Sequence, residues 1–79
     1  MKYRLLYFAS LADRAGCAEE DIQSAAVDAA TLYDEVRASH ELQMTRERLR
    51  VAVNGHFVDW NHRLKEGDEI AFLPPVSGG

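Results

Sequence analysis

Only one stretch of this 79-residue chain carries the period of a helix, and that limits the fold more than any other feature. From residue 29 the apolar positions are Ala29, Leu32, Tyr33 and Val36, close to the i, i+3, i+4, i+7 spacing of one buried stripe. Asp28 precedes them as an N-cap with Thr31 at the third helical position. Acidic residues come early and Arg37 and His40 late, as the helix dipole prefers. One amphipathic helix has one apolar stripe to cover, and no second long helix is present to cover it.

The remaining signals are those of strands. Residues 3–8 are aromatic and aliphatic on both alternating faces, Tyr3/Leu5/Tyr7 and Leu6/Phe8, which predicts a central strand covered on at least one side. Ser10 is positioned to cap a short helix over 11–15 that Gly16 ends. The segment 19–27 is the least informative: Ile22 and Val27 are its only strong apolar residues, and a second strand, if the fold needs one, falls near 21–26. After the helix, Leu42 and Met44 are anchors in a polar connection. Residues 49–53 then alternate as a strand, and Asn54-Gly55 follows, the pair that best accepts the positive φ of a type I′ turn. Residues 56–59 make a short return. Residues 60–64 form a loop, Lys65-Glu66-Gly67-Asp68 a turn, and residues 69–73 a last strand. Such an order in under 80 residues predicts an α+β two-layer domain over residues 1–73. It is a mixed sheet of four to five strands with the helix on one face. With the first and last strands side by side at the centre, this is the β-grasp arrangement.

Composition excludes several functions. Nine Lys and Arg against thirteen Asp and Glu give a net charge of −4, a poor match to phosphate-backbone binding, so no nucleic-acid partner is expected. Arg46, Arg48 and Arg50 alternate with Glu47 and Leu49 and read as one solvated face. No apolar run is long enough to span a membrane, and residues 1–4 lead directly into strand-like sequence without the h-region of a secretory signal. A single cysteine, Cys17, excludes a disulfide framework, so the expected setting is reducing and cytoplasmic. His40, His56 and His62 lack the pairwise spacing of zinc ligands, no G-x-S-x-G elbow surrounds any serine, and Gly16, Gly55 and Gly67 are isolated turn glycines. Trp60 is expected to pack or to meet a partner. No internal catalytic set is visible, so the chain is not expected to be an enzyme on its own.

That absence draws attention to residues 74–79. Pro74 and Pro75 lack the N–H a ladder needs and fix φ, so they stop the last strand and favour an extended exit. Val76, Ser77, Gly78 and Gly79 follow. Six extended residues reach about 20 Å, enough to enter another protein's active site. A frayed end is one reading. The other is that the Gly79 carboxylate is the working group, since glycine has no Cβ to obstruct a narrow channel or crowd an acyl carbon under attack.

Val51-Ala52-Val53-Asn54-Gly55 and the run from Leu64 through Gly67-Asp68-Glu69-Ile70-Ala71-Phe72-Leu73-Pro74-Pro75-Val76-Ser77-Gly78-Gly79, together with Leu6-Tyr7-Phe8-Ala9, resemble the small subunits of molybdopterin synthase. Those are ubiquitin-like β-grasp sulfur carriers, and the resemblance is strongest at the end and loosest over 19–27. It implies that an adenylating enzyme related to ubiquitin-activating enzymes uses ATP to convert the Gly79 carboxylate to an acyl-adenylate. Sulfur from a persulfide donor then gives a thiocarboxylate on Gly79. It implies further that the tail enters the large synthase subunit and passes sulfur to a cyclic pyranopterin precursor, as the donor half of a two-component sulfurtransferase. In this scheme the domain binds no cofactor, Pro74 to Gly78 deliver Gly79, and Phe72 and Leu73 form the docking surface. Carriers of the thiamine or tRNA-thiolation pathways, a protein modifier joined through Gly79, and an interaction module with an inert tail are the alternatives.

Overall fold

A computed structural model describes residues 1–75. Five strands form one sheet: β1 (Lys2–Tyr7), β2 (Glu19–Gln23), β3 (Arg50–Val53), β4 (His56–Val58) and β5 (Glu69–Leu73). A short helix α1 (Ser10–Ala15) follows β1, and the main helix α2 (Ala29–His40) follows β2. The sheet order is β2-β1-β5-β3-β4, with β1 and β5 parallel and all other pairs antiparallel. The first and last strands are therefore neighbours in the interior of the sheet, as predicted, and the fold is the β-grasp.

Alternation along each strand sorts the side chains. Tyr3, Leu5 and Tyr7 of β1, Ile70 and Phe72 of β5, and Val51 and Val53 of β3 are buried, together with Ala29, Leu32, Tyr33 and Val36 of α2. The predicted helical stripe is the covering layer of this core. Leu42 is buried in it and Met44 packs at its margin.

The start of α2 is closed without loose donors. Asp28 accepts from the Thr31 amide at 2.7 Å and, through its carbonyl, from Leu32. The Ala29 and Ala30 amides reach the carbonyls of His62 and Trp60, so the 60–64 loop satisfies two of the four amides a helix leaves unpaired. Asp28 is the acidic group at this end; the first turn itself carries none, contrary to the expected early acidic residues, because Asp34 and Glu35 fall in the second turn.

Two local expectations need correction. Ser10 is the first helical residue of α1 and caps nothing; Ala9 holds the cap position with φ 52° and ψ −128°. The Leu11 amide bonds the Phe8 carbonyl at 3.1 Å, so Phe8 to Leu11 form a type II′ turn with alanine where glycine is usual. The second strand runs earlier than residues 21–26, over Glu19–Gln23, because its partner is the start of β1: Tyr3 faces Ile22 and Leu5 faces Glu20. Beyond it, Ser24 is buried instead, bonding the Glu35 carboxylate at 2.9 Å and the Ala26 amide at 3.0 Å.

The Asn54-Gly55 turn has φ of 51° and 85°, as its residue types predict. Asn54 also ties the hairpin to β5. Its side-chain oxygen accepts from the Glu69 amide at 3.0 Å, and its amide group donates to Asp68 at 3.0 Å.

Candidate functional site

The point where β5 gives way to Pro74 and Pro75 gathers the residues that matter. β5 is hydrogen-bonded on both sides, Leu6↔Ala71 and Tyr7↔Phe72 toward β1, Arg50↔Leu73 and Val51↔Phe72 toward β3. A strand held on both edges gives whatever follows it a fixed point of departure. Pro74 is half-buried and Pro75 exposed. Val76, Ser77, Gly78 and Gly79, the remaining expected site residues, lie outside the described residues.

Phe72 and Leu73 do not form a joint surface. Phe72 has 0% exposure, and its ring lies 5.1 Å from that of Tyr33, 6.2 Å from that of Trp60 and 6.4 Å from that of Tyr7, centre to centre. It belongs to the core because strand alternation turns it toward α2. Leu73 points the other way, onto the outer face, and only it stays available for docking. Trp60 is half-buried in the same aromatic group, which accounts for it as a packing residue.

Register places Leu6, Ala71, Ala52 and Phe57 in one row across the outer face. Phe8 and Leu73 extend that row toward the tail. Phe8 is 44% exposed and Phe57 56% exposed, large apolar side chains that a lone domain has no reason to place together on one face. At the tail's root, Phe8, Ser10, Met44, Arg48, Leu73 and Pro74 line an open groove of about 640 Å³. Ala9, with its left-handed φ, forms part of its wall. Leu6, Phe8, Phe57 and Leu73 are readable as apolar in the sequence, but their assembly depends on register between strands far apart in the chain.

The three arginines expected on one solvated face separate. Arg46, in a 3-10 turn over Arg46–Arg48, meets Asp34 of α2 at 3.6 Å. Arg48 lines the groove, and the Arg50 guanidinium lies 3.9 Å from the centre of the Phe57 ring.

On the inner side, Glu20 joins β2 to the end of α2. It accepts from the Tyr7 hydroxyl at 2.8 Å and bonds His40 Nε2 at 2.9 Å, with the Tyr7 and His40 rings edge to face. The hydrogen bond to His40 holds the Glu20 carboxyl below its ordinary range, aided by Tyr7 and opposed by burial. Burial and the bond to Glu20 raise the Tyr7 phenol far above its usual value, so it remains a donor. This trio fastens the edge strand to β1 and to the end of α2. His56 lies in β4 and His62 in the loop after it, where its amide bonds the Asp59 carbonyl. No cluster of three or more potential metal ligands occurs among the described residues, and no helix there is long and apolar enough to cross a membrane.

Fold and exposed strand face together define a ubiquitin-like β-grasp domain. The family model described as the ThiS family matches residues 5–79, and the chain belongs to that family. It is 35% identical to the human molybdopterin synthase sulfur carrier subunit, over 95% of this chain and 91% of that one. Among solved structures, SAMP1 from Haloferax volcanii superposes with a TM-score of 0.84 at 25% identity, covering both chains fully. A complex of subunits 1 and 2 of the molybdopterin-converting factor from Helicobacter pylori contains a chain that matches with a TM-score of 0.71 at 29% identity, again over the full length of both. The expected membership of the ubiquitin-like sulfur carriers is met.

Proposed function

We propose that this chain is the sulfur carrier of a molybdopterin synthase, working through the carboxylate of Gly79. The observation that supports this most is that the family match runs through Gly79 and so includes the two glycines after the strand exit. A free carboxylate resists nucleophiles, so a partner enzyme first transfers AMP from ATP to it and releases pyrophosphate. The terminal sulfur of a persulfide attacks the acyl carbon and AMP leaves; a second thiol then cleaves the S–S bond, giving a disulfide and the Gly79 thiocarboxylate. One difficult substitution becomes several easier ones. Glycine at the acyl carbon keeps its approaches open.

The thiocarboxylate then enters the large synthase subunit and donates sulfur to a cyclic pyranopterin precursor. The apolar row Leu6, Ala71, Ala52 and Phe57, continued by Phe8 and Leu73, supplies a docking face for that subunit. The assembly of subunits 1 and 2 in the Helicobacter pylori complex supports such a pairing. The domain holds the tail and aims it, while ATP and precursor are bound by partners; a cytoplasmic setting follows from that chemistry.

Incubation with the adenylating enzyme, ATP and a persulfide donor tests this directly. Mass spectrometry should record the replacement of one oxygen by sulfur at Gly79. With a competent enzyme present, no mass change sinks the carrier reading. Co-purification with a thiamine-pathway acceptor in place of the large synthase subunit would redirect it to that pathway.

A further inference from the structure

The apolar face has a charged border that docking through Leu73 does not explain. Arg48 and Arg50 are both exposed at the tail's root, Arg48 in the groove beside Leu73 and Pro74, Arg50 paired in register with Leu73 itself. Among the described residues neither has a carboxylate within 4.0 Å, whereas Arg4 meets Asp21 at 3.2 Å and Arg46 meets Asp34 at 3.6 Å. This occurs in a chain of net charge −4, whose acidic Glu66, Asp68 and Glu69 lie at the opposite end of β5. That far end mixes the carboxylates with Lys2, Arg4 and Lys65, Arg4 lying in register with Glu69, whereas the tail's end of the outer face presents Arg48 and Arg50 without a paired carboxylate among the described residues.

Arg50 is also held in place. Its guanidinium stacks on Phe57, an attraction that restrains the side chain while leaving its donor edge open. A donor already ordered loses less freedom on binding than a free one. Closure of an apolar partner over Phe57 and Leu73 would exclude water around both cations. Carboxylates on the partner then compensate them, and a basic surface is repelled.

We propose that Arg48 and Arg50 form a cationic rim that pairs with Asp or Glu side chains on the large synthase subunit, around the opening that receives the tail. This rests on the carrier reading above and adds to it the charge that the partner presents. The rim sets orientation: docked in reverse, the partner's carboxylates would meet the mixed-charge end, where Glu66, Asp68 and Glu69 offset Lys2, Arg4 and Lys65.

The test is calorimetric titration of the full chain into the large synthase subunit at low and high salt. Arg48→Glu and Arg50→Glu should each weaken binding about tenfold near 50 mM NaCl and under about threefold near 1 M, because salt screens such pairs. Lys65→Glu, the same change of net charge at the far end of the sheet, should alter affinity less than about twofold. Arg48→Gln and Arg50→Gln should give smaller losses with the same flattening of the salt dependence, and they serve where a reversal unfolds the chain. Unchanged affinity in the arginine variants, or an equal loss in Lys65→Glu, overturns the rim while leaving the carrier reading intact. Failure of the unmodified chain to bind the large subunit at all overturns both.

Discussion

Phe72 and Leu73 are consecutive, both large and apolar, and both in β5, yet one is sealed under α2 and the other faces outward beside the tail. A pleated strand sends neighbours to opposite faces, so adjacent residues of like character can serve unrelated ends. The inner face is filled from within: Tyr33, Trp60 and Tyr7 surround Phe72. The outer face carries a comparable apolar row that nothing among the described residues covers. What the pair teaches is that the sealed core and the exposed apolar face of this domain are separated by the thickness of one strand.

That separation can be broken experimentally. Removal of Gly79 should abolish sulfur transfer entirely while leaving the thermal midpoint within about 1 °C, since every buried residue among the described ones is kept. A fall in midpoint alongside the lost activity would mean that tail and fold are not independent. Phe72→Ala should cost about 3–5 kcal/mol in denaturant unfolding, a large share of the roughly 5–15 kcal/mol that holds a typical domain. Leu73→Asp should do the converse, lowering stability by under about 1 kcal/mol but weakening large-subunit binding at least about tenfold. If Leu73→Asp unfolds the domain, or Phe72→Ala leaves it stable, the division between the faces is misplaced.

A smaller test concerns the edge strand. The hydrogen bond from His40 depresses the Glu20 carboxyl, so its contribution to stability is present above the ordinary value of 4.5 and is lost as pH falls through the lowered one. The difference in urea midpoint between the unmodified chain and Glu20→Gln should therefore be measurable near pH 6, worth under about 1 kcal/mol for a single half-buried pair, and vanish in acid. A difference that persists in acid would assign the effect to packing.

The sequence made some of this legible and hid the rest for physical reasons. The helix, its Asp28 cap and the Asn54-Gly55 turn depend on residues close together, and they stand where their spacing places them. Alternation also allowed only one of Phe72 and Leu73 to face inward, but choosing between them needed the position of α2. The strand over residues 19–23 was misplaced because Ile22 is its one strong apolar residue, and its register comes from β1 rather than from its own pattern. The scattering of Arg46, Arg48 and Arg50 was hidden for a related reason. A 3-10 turn ends between them and a strand begins, so a regular spacing in the chain does not become a shared face. The turn at Ala9 gave no signal at all, since alanine is not the residue that a positive φ calls for.

The threading of β5 between β1 and β3 has a consequence for how the domain comes into being. The parallel pairing joins strands from opposite ends of the described chain, so the interior of the sheet closes only after nearly all of it has been synthesised. β1, β2 and α2 can associate early, but their apolar faces stay open until β5 arrives. The strand that completes the core is also the one that leads into Pro74 and Pro75. A nascent chain, or one cut before β5, therefore lacks the strand held on both edges from which Pro74 and Pro75 depart.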